Sequence, residues 1–204
     1  MALSSLLIDE KRSLRRVMRE RRAALPADER ARAAAAGCAR LAALAALGAP
    51  AVAGGRVVAG FVAKGAEIDP AAALDEVRRR GARVALPRVS DTARPRLRFH
   101  LARPGEPLVP GRFGIPEPDP AAPEVALGDV AVMIVPGLAF DAGGGRLGAG
   151  GGYYDELLAE RTAPPPVLVG FGFDFQVVER CPAEARDRRV DWVVTDARAS
   201  EATR

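Results

Sequence analysis

Continuous apolar strands alternating with amphipathic helices predict a layered α/β/α fold with a mostly parallel central sheet. Three observations carry this. Val130 to Val135, VAVMIV, is apolar on both of its alternating sets of positions, so that strand is covered on both faces. Candidate helices separate it from two other apolar strands, RVVAGFV (56–62) and VLVGFGF (167–173). About half of the 204 residues are apolar and only 5% aromatic, with Ala, Val and Leu supplying most of the bulk, which points to an ordered chain with an aliphatic core.

The elements follow in order. Leu7, Leu14, Met18 and Leu25 fall on one side of a helix, with Leu3 nearby, and Lys11, Arg15, Arg19 and Arg22 line one flank of that stripe. Pro26, followed by Asp28 and Glu29, opens a second amphipathic helix running to about Leu47 and Gly48. Asp69 and Pro70 start a third helix as N-cap and first-turn residues, and Gly81 after three arginines stops it. Ala82 to Leu86, Leu97 to Leu101 and VDWVV near the end are further strands, and one more helix begins near Tyr153. With no internal repeat and no long linker, residues 1–204 read as a single domain.

The net charge of +4 rests on arginine, since Lys11 and Lys64 are the only lysines. It favours anionic ligands without requiring nucleic acid. Cys38 and Cys181 form neither a CxxC pair nor a metal quartet and read as reduced thiols. No apolar run reaches the ~18 residues that a membrane span needs, and the N-terminal segment lacks a secretory pattern, so the expected setting is cytoplasmic, away from the membrane.

The segment from Val135 to Arg161 carries the chemistry. A buried strand runs into a loop with seven glycines between Gly143 and Gly152, then into a helix. Such a loop costs backbone entropy, and close approach of its amides to an anion is one reason to keep it, with Arg146 adding a full positive charge. Gly143, Gly145 and Gly148 satisfy GxGxxG but lie well past the strand, and no lysine is present for a Walker A loop. A plain surface loop is the competing reading. Arg146 inside the run and Tyr153, Tyr154 and Asp155 directly after it favour phosphate binding.

Pro136, Gly137, Phe140, Asp141, Gly144, Arg146, Leu147, Gly148, Gly150, Gly151, Gly152, Tyr153, Tyr154 and Asp155 together resemble the pattern of the 5-formyltetrahydrofolate cyclo-ligases, also called 5,10-methenyltetrahydrofolate synthetases. Lys11-Arg12-Ser13-Leu14-Arg15 is similar to the family's N-terminal signature. Glu67-Ile68-Asp69, FGIPEP at 113–118, and Asp187 and Asp191 follow in the family's order. Ala149, Glu156 and Arg186 depart from it. The resemblance implies a Rossmann-like domain that closes 5-formyltetrahydrofolate to 5,10-methenyltetrahydrofolate with ATP and Mg²⁺, releasing ADP and phosphate. ATP would phosphorylate the formyl oxygen before N10 attacks, a step that needs charge neutralisation more than a protein nucleophile.

Carried over residue by residue, the resemblance implies ATP contacts from Lys11, Arg12, Ser13, Leu14 and Arg15 and from Arg146, Leu147, Gly148, Ala149, Gly150, Gly151, Gly152, Tyr153 and Tyr154. Folate contacts would come from Val62, Glu67, Phe113 and part of the same run, Ala149 to Tyr153. Asp155 and Asp191 would hold Mg²⁺ with hard oxygens, and Arg146 and Tyr153 would act in catalysis. Read from the residues alone, Arg12, Arg16 and Arg19 are a solvated basic face, His100 is a strand residue and Trp192 core. The expected partners are the two small-molecule substrates and no nucleic acid, with the chain a monomer. Two alternatives stand beside this: an ATP-binding paralogue acting on another substrate or none, and a nucleic-acid binder using the Arg-rich first helix, which holds no aromatic residue between Lys11 and Arg22.

Overall fold

The computed structural model describes residues 2–44, 47, 56–90, 96–159, 162, 164–184 and 187–203. Gly48 and Arg186, named above, lie outside the described residues, as does the side chain of Leu3. Two helices lead, α1 (Ala2–Ala24) and α2 (Ala27–Ala43), followed by strand β1 (Val57–Ala59), helix α3 (Ala71–Arg79) and strands β2 (Arg83–Val89) and β3 (Leu97–Leu101). After two short strands, β4 (Val109–Pro110) and β5 (Pro116–Glu117), come β6 (Glu124–Val125) and the long β7 (Val130–Pro136). The hairpin β8 (Ala139–Phe140) and β9 (Arg146–Leu147), helix α4 (Tyr153–Ala159), and strands β10 (Val167–Phe171), β11 (Trp192–Val194) and β12 (Ala199–Glu201) complete the chain.

The eight-stranded sheet has the order β12-β11-β10-β7-β1-β2-β3-β6. Its five central strands run parallel, and β12, β3 and β6 add antiparallel edges. β7 is buried at every position from Val130 to Val135, as its unbroken apolar run predicts. One face packs on α2 and α3 through Cys38, Leu41, Leu74, Val77, Val58, Val132 and Ile134. The other packs on α4 through Leu157, Leu158, Val57, Met133 and Val135. A third cluster, Met18, Leu138, Ala139, Leu147 and Cys181 with Leu14 against it, seats α1 on the β8–β9 hairpin.

Several boundaries differ from the sequence reading for local reasons. β1 spans only three residues of RVVAGFV, and the rest of that segment leaves the sheet as a loop. β2 continues through Pro87, which pairs with Phe99 of β3, whereas β1 pairs only as far as Ala85. Pro87 therefore lies beyond the stretch where β1 pairs with β2, and a missing N–H is tolerated there. The second helix ends at Ala43 because Leu44 is already extended. At α3 the Asp69 carboxylate accepts the Ala71 N–H at 3.0 Å, and Gly81 turns out of the helix with φ +93°. Cys38 and Cys181 are free and buried. Among the described residues no helix is long and apolar enough to cross a membrane.

Candidate active site

The chain leaves the parallel strands at their carboxyl ends into one cleft of about 830 Å³, the place where open parallel sheets bind ligands. Phe61 and Val62 follow β1, Pro87 and Val89 come from the end of β2, and Pro136, Gly137 and Leu138 follow β7. α1 forms one wall through Ile8, Lys11 and Arg15, and the run from Arg146 to Glu156 forms another.

A single aromatic ring packs behind Gly137, which lines the cleft. Phe140 is fully buried, and a methyl group placed on Gly137, Gly170 or Gly172 would approach its ring to 2.5, 2.5 or 2.9 Å. These glycines are the space the ring fills. Gln176, also buried, donates to the Gly137 and Leu138 carbonyls at 2.9 and 2.8 Å and so fixes the backbone as β7 enters the cleft.

The glycine run divides into two parts with different work. Gly143 to Gly145 form a turn closed by Asp141, whose carboxylate accepts the Gly143 and Gly145 amides at 2.9 and 2.8 Å and the Cys181 amide at 2.8 Å. Those amides are spent inside the protein. Gly148 and Gly150 to Gly152 line the cleft instead, with Gly150 and Gly152 at φ +106° and +73°, where a side chain would be strained. Arg15 from the cleft wall and Arg19 on the exposed face of α1 hold this part, donating to the Gly148 and Ala149 carbonyls at 3.0 and 2.9 Å.

Arg146 lies buried in the cleft wall. Its guanidinium donates to Asp155 at 2.6 Å and to the Pro136 carbonyl at 3.2 Å, while its Nε has no protein partner. The Tyr154 ring lies 5.7 Å from it. Burial pushes the Tyr154 hydroxyl well above its ordinary value despite the opposing Arg146 charge, with Glu67 adding to the rise, so it stays a hydrogen-bond donor. Lys11 is buried too, bound to Asp187 at 2.7 Å and Glu184 at 3.0 Å. Burial alone would lower its pKa, but the hydrogen bonds and charges of Asp187 and Glu184 outweigh that and raise it, so Lys11 is a permanent cation.

Also in the cleft, Glu67 receives Arg22 at 3.4 Å and the Lys64 amide at 3.0 Å. Phe113 stands half-exposed with φ 59°, the single non-glycine residue in the left-handed region among the described residues, and meets Tyr153 edge-on at 5.9 Å. A bulky residue held in that region carries backbone strain. Buried Glu117, in the same FGIPEP segment, anchors it: its carboxylate accepts the Val89 and Arg112 amides at 3.3 and 3.2 Å and pairs with Arg88 at 3.4 Å.

Of the residues singled out in the sequence, Lys11, Arg15, Val62, Glu67, Phe113 and the whole of Arg146 to Asp155 share this cleft. Arg12, Ser13, Leu14 and Asp191 do not line it. Arg12 is exposed and paired with Asp9, Ser13 is exposed, and Leu14 packs against the α1 cluster. The Asp191 carboxylate accepts the Leu168 amide at 2.9 Å, at the start of β10 and β11, away from the carboxyl edge of the sheet. Asp155, Glu184 and Asp187 do line the cleft; Asp187 is marked in the sequence only by its place in the family's order and Glu184 by nothing, because both meet Lys11 from more than 170 residues away. Arg19, read as solvated, holds the loop, whereas Arg16 does pair with Glu20 on the exposed face. His100 sits in β3 with Nδ1 2.7 Å from the Ala122 carbonyl, and Glu156, where the sequence departs from the pattern, lies 3.5 Å from Arg96.

The fold and site define an α/β enzyme whose cleft joins a glycine-rich segment, buried cations and two aromatic side chains. The model of the 5-formyltetrahydrofolate cyclo-ligase family matches residues 7–196. The chain belongs to that family. It is 36% identical over 154 residues to the 5-formyltetrahydrofolate cyclo-ligase of Mycolicibacterium smegmatis, covering 74% of this chain and 78% of the relative. It is 35% identical over 153 residues to that of Escherichia coli K12, covering 74% and 84%. The solved 5,10-methenyltetrahydrofolate synthetase of Aquifex aeolicus superposes with a TM-score of 0.79 at 31% identity, over 95% of this chain and 93% of that one. A second synthetase structure, from Mycoplasma pneumoniae, shares the fold with a TM-score of 0.71 at 20% identity, over 92% and 99%.

Proposed function

We infer that this protein is a 5-formyltetrahydrofolate cyclo-ligase that converts 5-formyltetrahydrofolate to 5,10-methenyltetrahydrofolate at the expense of ATP. The observation that carries the reading is the meeting, in one cleft, of Lys11, Arg15 and Arg146 with Glu67 and Phe113, the glycine segment joining the two groups. One side suits phosphates, the other a flat heterocycle with hydrogen-bond donors.

A formamide carbon is a weak electrophile and its oxygen a poor leaving group. Transfer of the γ-phosphoryl of ATP to that oxygen, releasing ADP, turns it into phosphate. Attack by N10 then forms the new C–N bond, and departure of phosphate together with loss of the N10 proton to solvent leaves the methenyl bridge. Phosphoryl transfer gains most from neutralised charge and alignment. Arg146 brings a fork of donors already aimed by Asp155, and Lys11 brings a charge that stays in place across the neutral range. The amides of Gly150 to Gly152 add directed dipoles. Tyr153, set edge-on to Phe113, lies where the folate and phosphate sides meet, and Glu67 accepts from the pterin amine edge.

Magnesium fits a donor set of this kind. It prefers a few carboxylates plus phosphate and water, and Asp155 and Asp187 are the carboxylates that border the phosphate side, with Glu184 beside them. When bound it would offset phosphate charge. The reading is tested by incubating the purified chain with 5-formyltetrahydrofolate and MgATP and following the absorbance of the conjugated methenyl product.

A further inference from the structure

Lys11, Arg15 and Arg22 recur on α1 at helical spacing, so their side chains leave the helix on one face. Lys11 and Arg15 line the cleft, whereas Arg22, in the last turn, does not border it but reaches Glu67, which does. Arg22 Nη1 donates to Glu67 Oε1 at 3.4 Å, and the Lys64 amide donates to Oε2 at 3.0 Å. Each oxygen of the carboxylate is therefore fixed by a different part of the chain. One is held by α1, the other by the turn in which the Glu67 amide returns to the Lys64 carbonyl at 3.2 Å.

As a source of stability this ion pair is poor. The Arg22 side chain is 13% exposed and that of Glu67 20%, the contact between them is long, and the Arg22 Nε is buried without a partner. Burial draws the guanidinium below its ordinary pKa, with the Glu67 charge and hydrogen bond opposing. A cation taken from water for one long hydrogen bond regains little of its desolvation cost. What the contact does provide is aim. A glutamate on a loop has several free side-chain torsions, and a carboxylate gripped at both oxygens keeps its remaining lone pairs in one direction. Those lone pairs are the ones left for a donor in the cleft.

We propose that Arg22 is a positioning residue for the folate: touching neither substrate, it acts through Glu67 and holds that carboxylate in the orientation that accepts the pterin's donors. The proposal rests on the reading of Glu67 as the pterin anchor. A freed carboxylate has to be ordered again each time folate binds, so its loss of aim weakens folate binding. Phosphoryl transfer, assigned to Lys11 and Arg146, proceeds at its usual rate once the site is filled. The expected loss is about tenfold, the scale of one hydrogen bond to a charged group.

The test measures kcat and the KM values for 5-formyltetrahydrofolate and ATP on the wild-type chain, R22M, R22K, E67Q and R22M/E67Q, each checked for folding by circular dichroism. R22M should raise KM for folate about tenfold and leave kcat and KM for ATP within about twofold of wild type. R22K keeps the charge and should show a smaller rise, again for folate alone. In the E67Q background R22M should cost nothing further, because no carboxylate is left to aim. If R22M does not fold, R22K and the comparison of E67Q with R22M/E67Q, where both charges are gone, still decide. Unchanged KM for folate in the arginine variants, an equal rise in KM for ATP, or a full further loss in R22M/E67Q overturns the proposal, as does R22K no better than a folded R22M. Unchanged KM for folate in E67Q shows instead that the anchor is misassigned, and Arg22 falls with it. Absence of methenyl product from the wild-type chain is a separate outcome, which removes the cyclo-ligase reading itself.

Discussion

Arg146 and Asp155 form a 2.6 Å ion pair in which the arginine side chain is almost wholly buried and the aspartate remains open to the cleft. The aspartate aims the guanidinium, and the arginine in turn holds the first turn of α4. Arg146→Ala should weaken ATP by about tenfold to a hundredfold, the scale of one or two hydrogen bonds to a charged group, with a smaller effect on folate. Arg146→Lys should recover only part of this, since it keeps the charge and loses the fork. Calorimetric titration with a non-hydrolysable ATP analogue measures both; unchanged ATP affinity in Arg146→Ala would show that the phosphate role is misassigned.

Lys11 joins α1 to the 184–187 segment through Glu184 and Asp187, so one lysine serves the fold and the cleft together. Its folded pKa is raised, so its contribution to stability is fully present below the unfolded value and is lost only as pH rises through the folded one, in the alkaline range. Lys11→Met should therefore lower the melting temperature at pH 7 and flatten the alkaline limb of stability against pH. It should also weaken ATP binding by an amount that does not change between pH 6 and pH 9.

Acid stability is set in part by Asp174. The Arg198 hydrogen bonds hold its carboxyl below the usual range against the opposing effect of burial, with Thr195 assisting. The stabilisation is present above the unfolded pKa and lost as pH falls through the lowered folded value. Asp174→Asn should be less stable than wild type at pH 7, and the gap should close in acid. Denaturant midpoints across pH 2 to 7 decide it.

Phe113 carries backbone strain that its exposed ring does not offset by burial. Phe113→Gly should leave thermal stability unchanged or raised by up to about 1 kcal/mol, because the left-handed conformation costs glycine little. It should still raise KM for folate several-fold. A large fall in melting temperature would show that the ring packs structurally.

Gly170→Ala tests the packing around the Phe140 ring behind the cleft. The added methyl meets Phe140, which has no room to retreat, so a loss of about 1–3 kcal/mol is expected by chemical denaturation.

The strands and helices were legible where burial or capping is written locally. VAVMIV announces a two-sided strand, and Asp69-Pro70 with Gly81 brackets α3. The end of β2 is hidden in the sequence, which does not reveal that β1 stops pairing before Pro87. The β11–β12 hairpin went unseen because β12 is exposed throughout and has no apolar alternation. In the site, Arg146 to Asp155 could be read because glycines, a buried charge and tyrosines sit in one short run. The turn formed by Gly143 to Gly145 was less clear: its glycines serve Asp141 rather than a ligand, and the composition of the two halves is the same. Asp187 and Asp191 both precede the last parallel strand, and only the path of the chain sends the second to the Leu168 amide and the first to Lys11.

The central claim is that one cleft brings ATP phosphate to the formyl oxygen of a reduced folate. The most direct measurement is turnover of 5-formyltetrahydrofolate with MgATP by the wild-type chain and by Arg146→Ala, following methenyl absorbance and ADP release together. The account predicts one ADP for each methenyl product in the wild type and loss of both signals in the variant. Methenyl formation without ATP, or undiminished turnover in Arg146→Ala, would contradict it.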